Sequence, residues 1–76
     1  GRISAVLNNS PGSLNALTEV LARSEGNISN LKITHRSLDF FELVVDVEVH
    51  DVKHLTHIIA ALRADPTIYK VERSGA

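Results

Sequence analysis

The sequence predicts an α+β domain of order β-α-β-β-α-β: a four-stranded antiparallel sheet with two helices on one face. Three observations carry this. First, Phe41, Leu43, Val45, Val47 and Val49 alternate with Glu42, Val44, Asp46, Glu48 and His50, a period-2 run too long to fit a helix. Second, Leu14, Leu17, Val20 and Leu21, and later Val52, Leu55, Ile58, Ile59 and Leu62, fall at the spacing of one helix face. Third, short strand-like segments open and close the chain.

In chain order, Ile3, Ala5 and Leu7 alternate with Ser4 and Asn8, and Val6 adds an apolar residue on the second face. That predicts a strand nearly buried on both sides. Asn9-Ser10-Pro11-Gly12 follows. Pro suits the first position of a helix, which makes Ser10 the expected N-cap. The helix runs from Leu14 to Ala22, with Gly26 as its expected C-terminal cap. Asn27 to Arg36 forms the second strand, with Leu31, Ile33 and His35 on one face and Asn30, Lys32 and Thr34 on the other. A Lys on the polar face suits an edge strand. Ser37-Leu38-Asp39 turns the chain into the third strand. Asp51 is the expected N-cap of the second helix, which ends at Asp65-Pro66. Thr67 to Arg73 is the last strand, with Tyr69 and Val71 on one face and Ile68, Lys70 and Glu72 on the other. The tail Ser74-Gly75-Ala76 is expected to fray.

This order is the split-βαβ, ferredoxin-like arrangement. Right-handed crossovers place both helices on the same side of the sheet. The other face is then open, lined by Ser4, Val6, Asn30, Lys32, Thr34, Val44, Asp46, Glu48, Ile68 and Lys70.

At 76 residues the chain is one small domain. A chain of that size buries only about 60% of its unfolded surface, so a supplement to the core is expected. It has no Cys, which excludes disulfides and thiolate metal sites and makes a partner chain the expected supplement. The formal charge is -1 with Lys and Arg scattered, so no nucleic-acid footprint is expected. No apolar run is long enough to span a membrane. The chain starts with Gly and has no Met; the expectation is a piece of a longer protein.

The fold hosts many functions, so the residues must choose among them. An RNA-recognition module needs aromatics on the central strands, and adjacent Phe40 and Phe41 fall on opposite faces. A metal carrier of this shape needs Cys in the first loop, and a phosphatase needs an Arg there; the loop has neither. His50, His54 and His57 have a spacing that zinc can use, but without Cys they are expected to be a solvated helix surface. His35 is expected at the rim of the core. Ser10, Ser13, Asp39 and Asp46 suit caps, turns and strand exteriors. No catalytic arrangement and no cofactor are expected.

The first loop is the candidate site. Gly12 permits close approach to the backbone, and the free N–H groups and positive end of a helix dipole can hold a carboxylate. Asn8 and Asn9 stand beside it as donors and acceptors. Val6 or Leu31 can shape an apolar pocket.

The turn Asn9-x-Pro11-Gly12-x-Leu14 within this element order resembles the ACT domain, a small-molecule-sensing regulatory module. The family's second binding element, at the start of the second strand, falls here on Asn27-Ile28. A more specific resemblance spans nearly the whole chain. It rests on Asn27-Ile28-Ser29-Asn30-Leu31-x-Ile33-Thr34-His35-Arg36, Asp39-Phe40, Asp46-x-Glu48-Val49, Asp51-x-Lys53-His54-Leu55, Ile58-Ile59-x-x-Leu62-Arg63 and Val71-Glu72-Arg73. These are similar to the C-terminal ACT domain of bifunctional (p)ppGpp synthetase/hydrolases, the RelA/SpoT family. The resemblance implies a sheet order 4-1-3-2 and a single regulatory ACT domain over residues 1–76, cut from the C-terminus of a cytoplasmic stringent-response enzyme. The synthetase and hydrolase centres would lie upstream. It implies a homodimer of ACT domains with an amino acid, branched-chain favoured, between the first loop of one copy and the second strand of its mate. The implied ligand-binding residues are Asn8, Asn9, Pro11, Gly12, Ser13, Leu14, Asn27 and Ile28. The alternative is a protein- or ribosome-docking module without a small-molecule ligand.

Overall fold

The computed structural model describes residues 1–74. The elements are β1 (Arg2–Asn8), α1 (Ser13–Arg23), β2 (Asn27–Arg36), β3 (Phe40–Glu48), α2 (Val52–Arg63) and β4 (Ile68–Arg73). All strand pairings are antiparallel, in the order β2-β3-β1-β4. This is the expected ferredoxin-like layout, with β2 and β4 at the edges.

The core lies between the sheet and the helices. Ile3, Ala5 and Leu7 from β1 meet Phe41, Leu43, Val45 and Val47 from β3. Leu17, Val20 and Leu21 of α1 cover them, with Leu55, Ile58, Ile59 and Leu62 of α2. The expected helix stripes bury as written except at their first residues, since Leu14 and Val52 are exposed.

Three bulges correct the expected faces. Asn30 pairs with Asp46 and Ile28 with Val47, which leaves Ser29 extra. Ile33 pairs with Leu43 and His35 with Glu42, which leaves Thr34 extra. An extra residue reverses the alternation beyond it, so His35 lies opposite Glu42 on the open face, exposed. It is not at the core rim. In β4, Val6 pairs with Lys70 and Leu7 with Ile68, so Tyr69 is the extra residue. Ile68 and Val71 therefore both point into the core, and Ile68 does not belong to the open face.

The expected caps also change. Gly26 does not carry the left-handed turn after α1; Glu25 does, with φ 61°. The Glu25 N–H donates to Ala22 O at 3.1 Å and the Gly26 N–H to Leu21 O at 2.8 Å, the Schellman pattern. Gly26 is needed for closeness instead: a Cβ there would lie 2.9 Å from Val47 Cγ1 and 3.1 Å from Ile58 Cδ1. Asp51 caps α2 as expected, accepting from the His54 N–H at 2.7 Å. At the tail, the Ser74 N–H donates to Arg2 O at 2.8 Å, so Ser74 is held against β1 and not frayed. Gly75 and Ala76 lie outside the described residues.

Candidate functional site

The antiparallel register sorts the loops onto two ends of the sheet. Asn8 faces Phe40 across the ladder, while Arg2 faces Asp46. The β1–α1 loop, the β2–β3 hairpin and the α2–β4 connection therefore share one end. The starts of β2 and α2 share the other.

At the first end, the candidate loop is a tight turn. The Ser13 N–H donates to Ser10 O at 3.2 Å, and Gly12 has φ 90° and ψ -9°. Pro11 and Gly12 thus occupy the central positions of a type II turn, which requires a positive φ at the second of them. The helix begins after this turn, at Ser13, so the expectation of Pro11 inside the helix and Ser10 as its N-cap is corrected. Ser10 Oγ lies 3.0 Å from Ser13 Oγ, and Ser13 is 1% exposed. The two hydroxyls satisfy each other under the turn.

Gly12 holds the N-cap position and has no side chain to bond the first turn. The Ala16 N–H reaches back to Gly12 O at 2.8 Å. Among the described residues, the N–H groups of Leu14 and Asn15 have no protein acceptor. With the Gly12 N–H, which likewise has none, they are the donors that remain free at this helix start. A Cβ on Gly12 would meet nothing within 4 Å, so the turn is open to solvent.

Asn9 is fastened to the neighbouring hairpin. Its backbone N–H donates to Asp39 O at 2.9 Å. Its side-chain Nδ2 donates to Ser37 O at 2.8 Å and Leu38 O at 3.4 Å. The Oδ1 is left as its accepting atom. Asn8 closes the last rung of β1 through its N–H to Thr67 O at 3.1 Å, and its Oδ1 faces the Tyr69 hydroxyl at 3.4 Å. Sequence reasoning missed the hairpin residues Ser37, Leu38 and Asp39, which hold Asn9 from about thirty positions away; no local signal marks that pairing. Leu38, at the hairpin tip, is 94% exposed.

Asn27 and Ile28 sit at the other end. Asn27 Nδ2 donates to Glu48 Oε1 at 2.7 Å, and Ile28 packs partly buried against the core. Six residues of β1 separate the ends, roughly 20 Å at strand rise. One copy of the chain therefore brings Asn8, Asn9, Pro11, Gly12, Ser13 and Leu14 together and leaves Asn27 and Ile28 far from them. Val6 faces the open side of the sheet and Leu31 the core side.

The histidines at the start of α2 have a structural use. His54 Nδ1 accepts from the His50 N–H at 3.0 Å, and Nε2 lies 2.7 Å from Ser24 O. A carbonyl can only accept, so these partners assign the proton to Nε2. The ring pins the start of α2 to the end of α1, and the His50 ring stacks on it at 4.8 Å. Among the described residues no group of three His, Asp or Glu is placed to hold a metal.

Two carboxylates are held below the usual range. Asp46 is lowered first by the hydrogen bond from Arg2, whose Nε is 2.8 Å away. Asp65 is lowered first by the backbone N–H of Thr67 and then by its hydroxyl, at 2.9 and 2.8 Å.

Comparison with known proteins gives a consistent result. The ACT domain family profile matches residues 1–73. The GTP pyrophosphokinase rsh of Brucella ovis is 40% identical over 72 residues, covering 95% of this chain and 10% of the relative. The chain thus spans about a tenth of the length of the curated relatives it matches. The ACT domain from the GTP pyrophosphokinase of Chlorobium tepidum superposes with a TM-score of 0.80 at 23% identity, over 96% of this chain and 94% of that one. The acetolactate synthase small subunit of Thermotoga maritima gives 0.80 at 24% identity, over 93% and 44%. These last two are likenesses of fold. No helix of the described residues is long and apolar enough to cross a membrane.

Proposed function

The chain belongs to the ACT domain family, and from that premise we propose that it is a regulatory, non-catalytic sensor of small amino acids within a cytoplasmic (p)ppGpp synthetase/hydrolase. The name of the Brucella relatives supports the parent enzyme. The observation that carries the sensing is the bare start of α1, with free N–H groups on Leu14 and Asn15, in the same loop as Asn9, whose Oδ1 is left to accept. A carboxylate suits the first, through the helix dipole and unpaired donors. An ammonium suits the second.

The ligand is shared between two copies. Asn27 and Ile28 lie on the edge strand β2, at the end opposite the loop. Antiparallel pairing of two β2 edges would lay the Asn27 end of one copy beside the Asn9 end of the other. Neutral amides and backbone donors make a modest trap, so binding in the millimolar range is expected, about 4 kcal/mol. Calorimetric titration with valine, isoleucine, serine and glutamine tests this. Heat with valine or isoleucine that is lost in Asn9→Ala supports it; no heat with any of the four at millimolar ligand ends it.

A second reading is favoured by one observation, the fully projecting Leu38 at the hairpin tip. In that reading the domain docks a protein or ribosomal surface and takes no small molecule. Charge reversal at Lys32 or Lys70 on the sheet would then disturb regulation in the full-length enzyme, while Asn9→Ala would not.

A further inference from the structure

The two sheet edges differ in what their own chain does to them. Among the described residues, no side chain bonds a backbone group of β2. On β4, Arg63 reaches from the last turn of α2 and donates from both Nε and Nη2 to the Val71 carbonyl, at 3.1 and 2.9 Å.

The ladder shows which groups of β4 matter. The Ser74 N–H bonds Arg2 O, and Arg73, Glu72, Val71 and Lys70 face Ile3, Ser4, Ala5 and Val6 in turn. Antiparallel ladders alternate bonded and non-bonded pairs. Glu72 and Lys70 therefore bond toward β1, while Val71 and Arg73 turn their N–H and C=O outward. The Val71 carbonyl lies in the middle of that outward row, where another strand would have to bind. An unpaired row of this kind is a template for a further chain.

We propose that Arg63 is an edge guard, which closes β4 to strand pairing and confines edge-to-edge assembly of this chain to β2. The limit of two copies rests on the shared-site reading above; the guard on β4 does not. With both edges open, each copy could pair twice and a ribbon of copies would not close. A strand approaching β4 must first displace two charge-assisted hydrogen bonds from one carbonyl.

The test is the mass of the 76-residue chain in solution, by sedimentation or native mass spectrometry, with circular dichroism to verify folding. Arg63→Met removes the donors and keeps the apolar stem; Arg63→Ala removes both. Each is expected to form species larger than any the unaltered chain forms at the same concentration. Adding Arg73→Pro is expected to abolish those species. The Arg73 N–H points away from β1, so proline there removes no ladder bond while spoiling the outer edge. A folded Arg63→Met chain with unaltered masses overturns the proposal. So does a chain that unfolds in both variants, since Arg63 is then a brace and nothing more. An unaltered chain that stays monomeric at all concentrations would sink the shared site yet leave the guard standing, provided Arg63→Met alone associates.

Discussion

Asp51 caps α2 through a 2.7 Å bond to the His54 N–H, while Gly12, in the same position before α1, has no side chain with which to cap. The contrast extends to the surroundings of each helix start. Near Asp51, His54 bridges the His50 N–H and the Ser24 carbonyl, and Gly26 is pressed against Val47 and Ile58. Near Gly12, Leu14 and Asn15 keep free donors, and a Cβ would meet nothing. At one end of the sheet the helix start is closed by its own side chains. The other leaves a helix terminus bare above a well-fastened loop. In the reading proposed above, the bare terminus is where a group from outside the chain binds.

The two glycines give the largest expected effect. Gly26→Ala drives a methyl into Val47 and Ile58, both in the core, and overpacking of that kind costs about 1–3 kcal/mol. Gly12→Ala meets no atom, but its φ of 90° disfavours any Cβ, at about 1–2 kcal/mol. Asparagine separates the causes. It tolerates left-handed backbone, so Gly12→Asn should be milder than Gly12→Ala, whereas Gly26→Asn should be worse than Gly26→Ala. Urea unfolding of the four variants checks the order, and the same ranking at both positions would erase the distinction.

Asp51→Ala comes next. It strips the cap from α2 and should cost about 1 kcal/mol, a fall in Tm of roughly 4–8 °C for a domain of this size. No equivalent side chain exists to remove before α1. An unchanged Tm would mean the closed end does not depend on its cap.

Glu25→Gly is smaller and opposite in sign. Glu25 holds φ 61° with a side chain that this region disfavours, and glycine relieves it. A gain of about 0.5–1 kcal/mol is expected, read as a higher urea midpoint. The closed end is thus not strain-free. Its Schellman turn places glycine where packing demands it and leaves the left-handed position to glutamate.

That division also shows what the sequence could reveal. The β3 alternation and the helix stripes were legible because packing rewards a simple period. The faces of β2 and β4 were legible at Asn30 to Ile33 and Lys70 to Glu72 but not beyond Thr34 and Tyr69, bulge residues that each shift the parity by one. His35 and Ile68 were misplaced for that reason alone. A glycine after a helix signals a left-handed cap, yet here tight packing needed Gly26 and the turn fell to Glu25. In the candidate site, Pro11-Gly12 marked the turn, but not that Gly12 would take the cap position. The grip of Ser37, Leu38 and Asp39 on Asn9 is a non-local pairing, and no periodicity carries it.

The smallest expected effect lies in the connection beneath the open end. Asp65 accepts from the Thr67 N–H and hydroxyl, and the Thr67 carbonyl accepts from the Asn8 N–H. The Asp65 carboxyl is therefore held below its ordinary value, first by the Thr67 backbone bond. A lowered folded-state pKa means the unfolded chain binds the proton more readily. The resulting stability is fully present above the ordinary carboxylate pKa of about 4. It is lost as pH falls through the lower folded value. Asp65→Asn keeps an accepting oxygen but no titrating charge. It should lower the urea midpoint slightly at pH 7 and less at pH 3, so the two midpoint curves converge in acid. Parallel curves would show that Asp65 holds the connection by shape alone, and that the support under the open end carries no charge-dependent part at this residue.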